Sequence, residues 1–490
     1  MTQLKINMMR FVSKIFLVFV TCSVLLTSCE DWLELKPEDN VVRQDFWKSE
    51  QQVEAFVFGL YGKLLTDDLI KRLFLWGEIR GDALDYNFIP FELYKILQGS
   101  ITPTNSTFKW EAFYSSINQC NILIKYAHEA QEIDVTFTES ELKAYEAEAY
   151  AIRALLYFYL VRSFGDVPVM LDAVTTDQVD FFIPKSTQEE VMEQILNDLD
   201  SARRYIPEDY GNNLHNKGRL NKYGVEALLA DVYLWNDNYE DCIEACDVII
   251  DSKKYGLVKG KDWLQEIFID GNSNESIFEL QFAEDKNNPF YDFFKAQNGY
   301  FEPSFSLYAF YQSSDVRGDS ATYLSSAGTI YKYSVLIPED GTTRTSDNYY
   351  ANWIIYRYAD ILLLKAEALN ELGYGSEAIE IVNKIQARAN AMIISPDEND
   401  FDAIRSLILR ERQKEFAYEG KRWYDVLRVA KRDNYAHQSI LIDMIESYAP
   451  ADQVDLIKSK YSDPRSHYFP IYYEELNSNK MLEQNPYYEN

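Results

Sequence analysis

Residues 221–251 read NKYGVEALLADVYLWNDNYEDCIEACDVIID, and this stretch decides the fold. Apolar side chains recur at helical spacing over 221–234 and again over 239–251, as in helices that bury one face. The polar sequence Asn236-Asp237-Asn238 between the two segments is typical of a tight turn. The stretch therefore predicts two helices that fold back on each other.

The same pattern returns later in the chain. Laying Ala230 over Ala366 superimposes two copies, and the second copy predicts helices over 353–372 and 376–389. A helix, a tight turn and a second helix form the unit of tetratricopeptide-like proteins, in which small residues let the two backbones approach closely. We therefore expect a mainly α-helical superhelix of about four helix-turn-helix units.

Further helices and three irregular stretches complete the predicted secondary structure. Helical periodicity extends over 49–65, 118–130, 139–164, 187–205 and 401–419. Three long stretches lack it and are rich in Gly, Asn, Ser, Pro and aromatic residues: about 70–115, 255–350 and 440–490. Because loops this long are uncommon in a compact domain unless they carry a function, we expect them to form an irregular, aromatic-rich ligand-binding side.

The N-terminus has the layout of a secretory signal. Basic residues precede an apolar run over 15–26, which is too short to span a membrane as a helix. The sequence Leu26-Thr27-Ser28-Cys29 resembles the lipobox of bacterial lipoproteins, which makes Cys29 the first mature residue, acylated on its sulfur and its amine. The alternative is an ordinary cleaved signal with an incidental cysteine. The chain then divides into a signal peptide (1–28), a lipidated tether (29–45) and a folded domain (46–490).

The composition narrows the class of function. The chain has 78 acidic and 48 basic residues, and its formal net charge of −30 repels the phosphate backbone of nucleic acids. Its four His and five Cys residues lack the spacing of a metal site, so we expect neither a metal nor a cofactor. Tyr outnumbers Phe by 37 to 28, and because a Tyr hydroxyl seeks water or a polar partner, this excess indicates an amphipathic surface such as a ligand platform. Many of these Tyr residues are nevertheless expected to fill grooves between helices.

Several sequence blocks resemble one known protein family. In chain order they are RALLYFYLVRSFGDVP at 153–168, GRLNKYGVEALLADVYL at 218–234, YRYADILLLKAEA at 356–368 and RERQKEFAYEGKRWYD at 410–425. The sequence closes with Phe469-Pro470-Ile471 and an Asn485-Pro486 pair. Together these blocks resemble the SusD/RagB family, and the resemblance covers the whole mature chain.

This resemblance implies a nutrient-binding lipoprotein on the outer membrane of a Gram-negative bacterium. Family members usually bind oligosaccharides and cover a SusC-like TonB-dependent transporter as its lid. Glu30 and Asp31, directly after Cys29, resemble the acidic signal that directs Bacteroidota lipoproteins to the cell exterior. In the block at 410–425, charges of both signs at helical spacing predict ion pairs of the scaffold rather than an active site.

Candidate ligand-binding residues lie in the irregular stretches. The turn over 78–83 resembles the family turn that opens the ligand-facing loop, so Arg80 or Asp82 is a candidate to hydrogen-bond sugar hydroxyls; alternatively, the two pair with each other. Aromatic rings offer flat faces for a sugar, and neighbouring amides offer hydrogen bonds, although any single ring can instead pack within its loop. These candidates are Tyr86, Asn87, Phe88, Phe91, Tyr94, Trp110, Tyr291, Phe293, Tyr300, Tyr350 and Trp353.

Three functions are candidates for this chain. The first is a non-enzymatic surface binder that delivers glycans to a transporter, and the second is an oligopeptide binder of the same family. The third is a glycoside hydrolase that uses two carboxylates. Because 78 acidic residues always provide some suitable pair, and because no catalytic motif isolates one, we expect no enzyme activity.

Overall fold

The computed structural model describes residues 46–175 and 182–489, and helices dominate this part of the chain. Residues Ser49–Asn490 form one compact unit, and Met1–Lys48 belong to another. The helices of the described residues are α1 Glu50–Leu64, α2 Asp67–Glu78, α3 Phe91–Leu97, α4 Glu111–Ile133, α5 Glu139–Phe164, α6 Gln188–Tyr205, α7 Asn213–Gly218, α8 Lys222–Trp235, α9 Tyr239–Ser252, α10 Tyr291–Phe294, α11 Phe305–Phe310, α12 Tyr358–Glu371, α13 Gly375–Arg388, α14 Phe401–Phe416, α15 Arg422–Tyr435, α16 Gln438–Tyr448, α17 Val454–Tyr461 and α18 Tyr473–Ser478.

Short strands form four two-stranded antiparallel ribbons within the described ranges. Strand β1 pairs with β3, β2 with β8, β4 with β5 and β6 with β7. Their bounds are β1 Leu84–Tyr86, β2 Ser276–Leu280, β3 Phe301–Pro303, β4 Tyr323–Leu324, β5 Thr329–Ile330, β6 Val335–Ile337, β7 Thr342–Thr343 and β8 Trp353–Arg357.

Helix hairpins stack into the superhelix that the sequence predicts. Helix α8 packs against α9, and α12 packs against α13, so both copies of the repeated pattern are antiparallel hairpins. The pairs α4–α5 and α14–α15 extend the stack, and α6 packs against both α5 and α8. Apolar side chains of α12, α13 and α14 form a continuous core. The prediction of a mainly α-helical, tetratricopeptide-like fold is confirmed.

Local sequence signals explain where the longest helix begins and ends. At its start, the Thr138 hydroxyl accepts the N–H of Glu141, and the Glu141 carboxylate accepts the N–H of Thr138. At its end, Gly165 adopts a φ of 76°, a conformation that glycine reaches at little cost. The bounds of α5 therefore match the prediction for 139–164.

Three predicted helices have misplaced ends. The helix predicted over 118–130 is α4 Glu111–Ile133, which begins seven residues earlier and ends three residues later. Residues 353–357 form strand β8 rather than the first turns of a helix. A short apolar run fits a buried strand as well as a buried helix, and here pairing with β2 decides between them. Helix α14 ends at Phe416, not at Glu419, because the following turn places Tyr418 and Gly420 at positive φ.

The stretches predicted to be irregular contain helices as well. Helices α2 and α3 lie within or overlap 70–115, and α16 and α17 occupy much of 440–490. The stretch 255–350 is closest to the expectation, since it contains only short strands and helical turns among its described residues.

Buried ion pairs tie α14 and the turn after it to the rest of the unit. The guanidinium of Arg357 donates hydrogen bonds to carboxylates of Glu275, Glu415 and Glu419 at 2.6–3.0 Å, and all four side chains are buried. Lys332 also contacts Glu419, at 2.6 Å.

The block at 410–425 therefore serves as scaffold, as its charge pattern predicts. Arg412 pairs with Asp360 and Asp425, and Glu411 with Arg317, while Arg410 is exposed. The contacts with Asp360 and Arg317 join α14 to segments 52 and 94 positions earlier in the chain.

Candidate functional site

A two-stranded ribbon brings two distant aromatic segments together. Strands β1 and β3 pair so that Tyr86 lies opposite Phe301, Asp85 opposite Glu302 and Leu84 opposite Pro303. The N–H of Asn87 extends the pairing by donating to the carbonyl of Tyr300 at 3.1 Å. The sequence placed candidates in both segments, and this ribbon makes them parts of one surface.

The first cavity lies on one side of the ribbon and has a volume of about 320 Å³. Strand β1, the end of α3, the start of α11 and the end of α16 supply its walls. Its polar groups are the carboxylate of Asp85, the amide of Gln98 and the hydroxyls of Ser304, Ser306 and Ser447. The two hydroxyls at 304 and 306 donate to the carbonyl of Asp82, so their oxygens can still accept hydrogen bonds.

The second cavity adjoins the first along the ribbon and also has a volume of about 320 Å³. On the ribbon it is lined by Asn87, which directly follows β1, and by Phe301 and Glu302 of β3. The amides of Gln297 and Asn298 and the hydroxyl of Thr329 also face it. Its walls are mostly polar, so it offers a ligand hydrogen bonds rather than apolar contact.

Aromatic rings lie on the wall of the first cavity, at Tyr86 and Phe305, and next to it. Phe305 is 86 % exposed, Phe88 78 % and Phe91 67 %. Tyr94 packs against Tyr86 with ring centroids 5.3 Å apart and against Phe91 at 6.5 Å. Phe91, Tyr94 and Tyr86 are connected by ring contacts that end at the first cavity, so several aromatic faces are available to a ligand there. Flat rings beside amides, hydroxyls and a carboxylate suit a polyhydroxylated ligand, whose apolar faces stack and whose hydroxyls need directional partners.

Arg80 does not belong to this surface, contrary to the prediction. Its guanidinium is buried between the rings of Trp423 and Phe469, 3.8 and 3.7 Å from their centroids, and donates to the carbonyl of His467 at 2.6 Å. Burial lowers the pKa of Arg80 to about 10. Arg80 therefore fastens the C-terminal segment to the helical core.

Asp82 is also a scaffold residue rather than a ligand contact. Its carboxylate accepts two hydrogen bonds from the guanidinium of Arg422, at 2.7 and 3.1 Å, and it is only 3 % exposed. The alternative that Arg80 and Asp82 pair with each other is wrong as well. Each residue instead pairs with a chain segment more than 300 positions away.

Three predicted aromatic candidates are buried. Phe293 and Trp353 belong to an aromatic core around Phe74, whose ring centroid lies 5.7 Å from each of theirs. Trp110 is 2 % exposed and packs on Phe164 at 5.4 Å. Trp110 does border a groove of about 440 Å³, but that groove is largely apolar and fits a sugar poorly.

The remaining candidates are half-exposed. Tyr300 packs on Phe293 at 5.9 Å beside the second cavity. The ring of Tyr291 contacts Tyr349 and lies 5.5 Å from the ammonium of Lys295, which lines the second cavity. The ring of Tyr350 lies 5.4 Å from the guanidinium carbon of Arg344. Of the predicted residues, only Tyr86 and Asn87 line the two cavities.

Models of known protein families match two parts of this chain. One family model, described as starch-binding and associating with the outer membrane, matches residues 31–234, and the model of the SusD family matches residues 307–488. The two matches lie in the N-terminal and C-terminal halves of the chain, and contacts such as that between Asp82 and Arg422 join them in the fold. The chain belongs to the SusD/RagB family.

Relatives of known sequence and structure match nearly the whole length of this SusD/RagB chain. The SusD-like protein P38 of Formosa agariphila is 29 % identical over 487 residues, which cover 86 % of this chain and 92 % of the relative. A SusD superfamily protein of Bacteroides vulgatus shares the fold with a TM-score of 0.75 at 20 % identity, covering 90 % of this chain and all of the other. NanU of Bacteroides fragilis has a TM-score of 0.72 at 24 % identity, covering 93 % of this chain and all of NanU.

Several residues of the site were missed by reasoning from the sequence. Phe305 follows Ser304, whose hydroxyl accepts the N–H of Leu307 and begins α11, so its ring projects from the first helical position. Ser447 and Tyr448 reach the first cavity from the end of α16, in a stretch that the sequence predicts to be irregular. Ser304 could have been recognised in the sequence as a helix N-cap. Nothing in the sequence, however, indicates that the ring of Phe305 is exposed.

No group of three or more His, Cys, Asp and Glu side chains within 46–175 and 182–489 is arranged to hold a metal ion. None of the helices in these ranges has the length and apolar character that a membrane crossing requires. Cys120, Cys242 and Cys246 are buried and form no disulfide, and Cys29 lies outside the described residues.

Proposed function

We propose that this protein is a non-enzymatic, surface-exposed lipoprotein that captures an oligosaccharide and passes it to a SusC-like TonB-dependent transporter as its lid. The observation that carries the proposal is the pair of cavities along the β1–β3 ribbon, one of mixed polarity with the exposed ring of Phe305 on its wall, and the other mostly polar. Members of the SusD family are generally binding proteins, and the description of one matching family model names starch binding and the outer membrane.

Binding is tested by calorimetry of the protein against panels of oligosaccharides and oligopeptides. We expect an oligosaccharide to bind and to be recovered unchanged. If only peptides bind, the protein is a peptide-binding member of the family, and if the saccharide is cleaved, the protein is an enzyme. Either result contradicts the proposal.

The exposed ring of Phe305 should contribute to affinity. We expect Phe305→Ala to weaken saccharide binding roughly tenfold, because a stacking contact is lost while the fold keeps its core. The matched control is Tyr374→Ala, which removes a 52 % exposed ring at the start of α13, outside the walls of both cavities. Equal affinity losses in the two variants would argue against a site at the ribbon.

The lipid anchor at Cys29 is tested by metabolic labelling with palmitate. We expect Cys29→Ser to abolish the label and to release the protein from the membrane fraction, because the acyl chains have lost their attachment atom. Cys22→Ser is the control: it removes the other N-terminal cysteine, seven positions earlier, and should label normally. Persistent labelling of Cys29→Ser refutes the anchor. Co-purification of a TonB-dependent transporter with the lipidated chain tests the partner.

A further inference from the structure

Two carboxylates are paired across the β1–β3 ribbon, and each lies on the wall of a different cavity. Asp85 on β1 lies directly opposite Glu302 on β3, and directly opposed residues of an antiparallel pair project to the same face. Asp85 lines the first cavity and Glu302 lines the second. Asp85 is exposed and Glu302 is half-exposed, so both carboxylates can reach a bound molecule.

This pair is electrostatically unfavourable within the protein itself. Like charges directly opposite each other destabilise a ribbon. Burial, together with the nearby charge of Asp85, raises the pKa of Glu302. One oxygen of Asp85 accepts the N–H of Tyr86 at 2.8 Å, but neither carboxylate forms an ion pair with any side chain in the described part of the chain.

Neighbouring charges do not compensate the pair. Lys295 is the one basic side chain among the described residues that line the two cavities, and its ammonium already pairs with Asp292 at 2.8 Å. Lys95 lies outside the cavity walls, with its ammonium 4.7 Å from the ring centroid of Phe91. Burial raises the pKa of Tyr308, and the nearby charges of Glu302 and Asp319 raise it further, so Asp319 is a third carboxylate in this region. The surface around Asp85 and Glu302 is therefore negatively charged.

We propose that the Asp85–Glu302 pair selects saccharides by charge: sugars with protonated amino groups bind best, neutral sugars bind less tightly, and sugars with carboxylate or sulfate groups are rejected. An ammonium group between the two carboxylates relieves their mutual repulsion, whereas an anionic group adds to it. The negative charge of the whole chain acts in the same direction at longer range. This selectivity rests on the proposed function, since it concerns the same cavities.

The test uses the full lipidated chain in detergent and a panel of hexasaccharides. Each glycosidic linkage in the panel is offered with amino, neutral and carboxylated sugars, so that charge varies while length and linkage do not. For whichever linkage binds, we expect the amino sugar to bind roughly tenfold or more tightly than the neutral one at low salt. We expect the preference to shrink as salt is added.

Charge-neutral variants separate the local effect from the net charge of the protein. In the double variant Asp85→Asn, Glu302→Gln, the preference for amino sugars should disappear and carboxylated sugars should gain affinity. The matched control, Glu240→Gln, Asp241→Asn, neutralises two exposed carboxylates on α9 and should keep the wild-type order. Thermal unfolding of both variants verifies that they remain folded.

Failure of the proposed function and failure of the charge selectivity give different experimental results. If no saccharide in the panel binds, the proposed function fails and the selectivity fails with it. If saccharides bind but amino sugars are not preferred, or if the double variant keeps the wild-type order, only the role of Asp85 and Glu302 is overturned. Tight binding of basic peptides alone would assign the carboxylate pair to a different class of ligand and would also contradict the proposal.

Discussion

Replacing Arg357 with methionine is expected to lower the free energy of unfolding by roughly 3–5 kcal/mol, which is the usual cost of removing one partner from a buried ionic network. The guanidinium of Arg357 contacts Glu275, Glu415 and Glu419, and all of these side chains are fully buried. Burial alone would lower the pKa of Arg357, but the three carboxylates outweigh it and hold the pKa well above its usual range. Without the guanidinium, three buried carboxylates lose a shared partner, and Arg388 and Arg317 compensate only part of their charge.

Urea denaturation followed by circular dichroism measures this loss. Lys384→Met is the matched control, because it breaks the exposed pair with Glu380 and should cost less than about 1 kcal/mol. Arg357→Lys keeps the charge but loses the forked geometry, so its stability should lie between those of the wild type and Arg357→Met. A cost for Arg357→Met no larger than that of the control would show that the network does not stabilise the fold.

Substitution of Gly77 by alanine is expected to have the second largest effect, a loss of about 3 kcal/mol. Gly77 lies on α2, and a Cβ atom there would stand 1.8 Å from the carbonyl oxygen of Gly420 and 2.8 Å from the ring of Tyr424. The same junction is fixed by Glu78, whose carboxylate accepts the N–H groups of Tyr418 and Gly420 at 3.2 and 3.0 Å. The backbone therefore has little room to move away from the added methyl group.

Replacing a glycine of α1 with alanine should instead increase the free energy of unfolding. Gly59 lies within that helix with no atom within 4 Å of the position of its Cβ. Gly59→Ala should raise the free energy of unfolding by about 0.5–1 kcal/mol, because alanine loses less backbone entropy in a helix than glycine does. Urea denaturation of both variants provides the comparison. Similar effects at the two positions would mean that helix propensity, not the contact with Gly420, governs Gly77.

The helices were predictable wherever their signals are local. The capping residues Thr138 and Glu141 and the terminal Gly165 mark α5 within a few residues of each end. The repeated pattern identifies α8–α9 and α12–α13 for the same reason, since helical periodicity is a property of short segments. Strand β8 was not predictable, because its partner β2 lies more than 70 residues earlier in the chain.

The candidate site was only partly predictable. The sequence placed Tyr86 and Asn87 in a ligand-facing stretch, and the structure puts both on cavity walls. The sequence also favoured Arg80 and Asp82. Both side chains are buried instead, where Arg80 packs on the ring of Phe469 and Asp82 pairs with Arg422. A charged residue in a loop-like stretch looks the same in sequence whether it binds a ligand or a distant helix.

The sequence by itself determined the helical class, the hairpin repeat and the family, because these depend on periodicity and on motifs that lie within short segments. It also contains the lipobox-like residues before Cys29, from which we predict an anchor. Only the tertiary structure decided which aromatic rings are available to a ligand. Trp353 and Phe305 are both large aromatic residues in the same half of the chain, yet one is 1 % and the other 86 % exposed. The difference arises because exposure is set by contacts between segments that are distant in sequence, such as the β1–β3 ribbon and the core around Phe74.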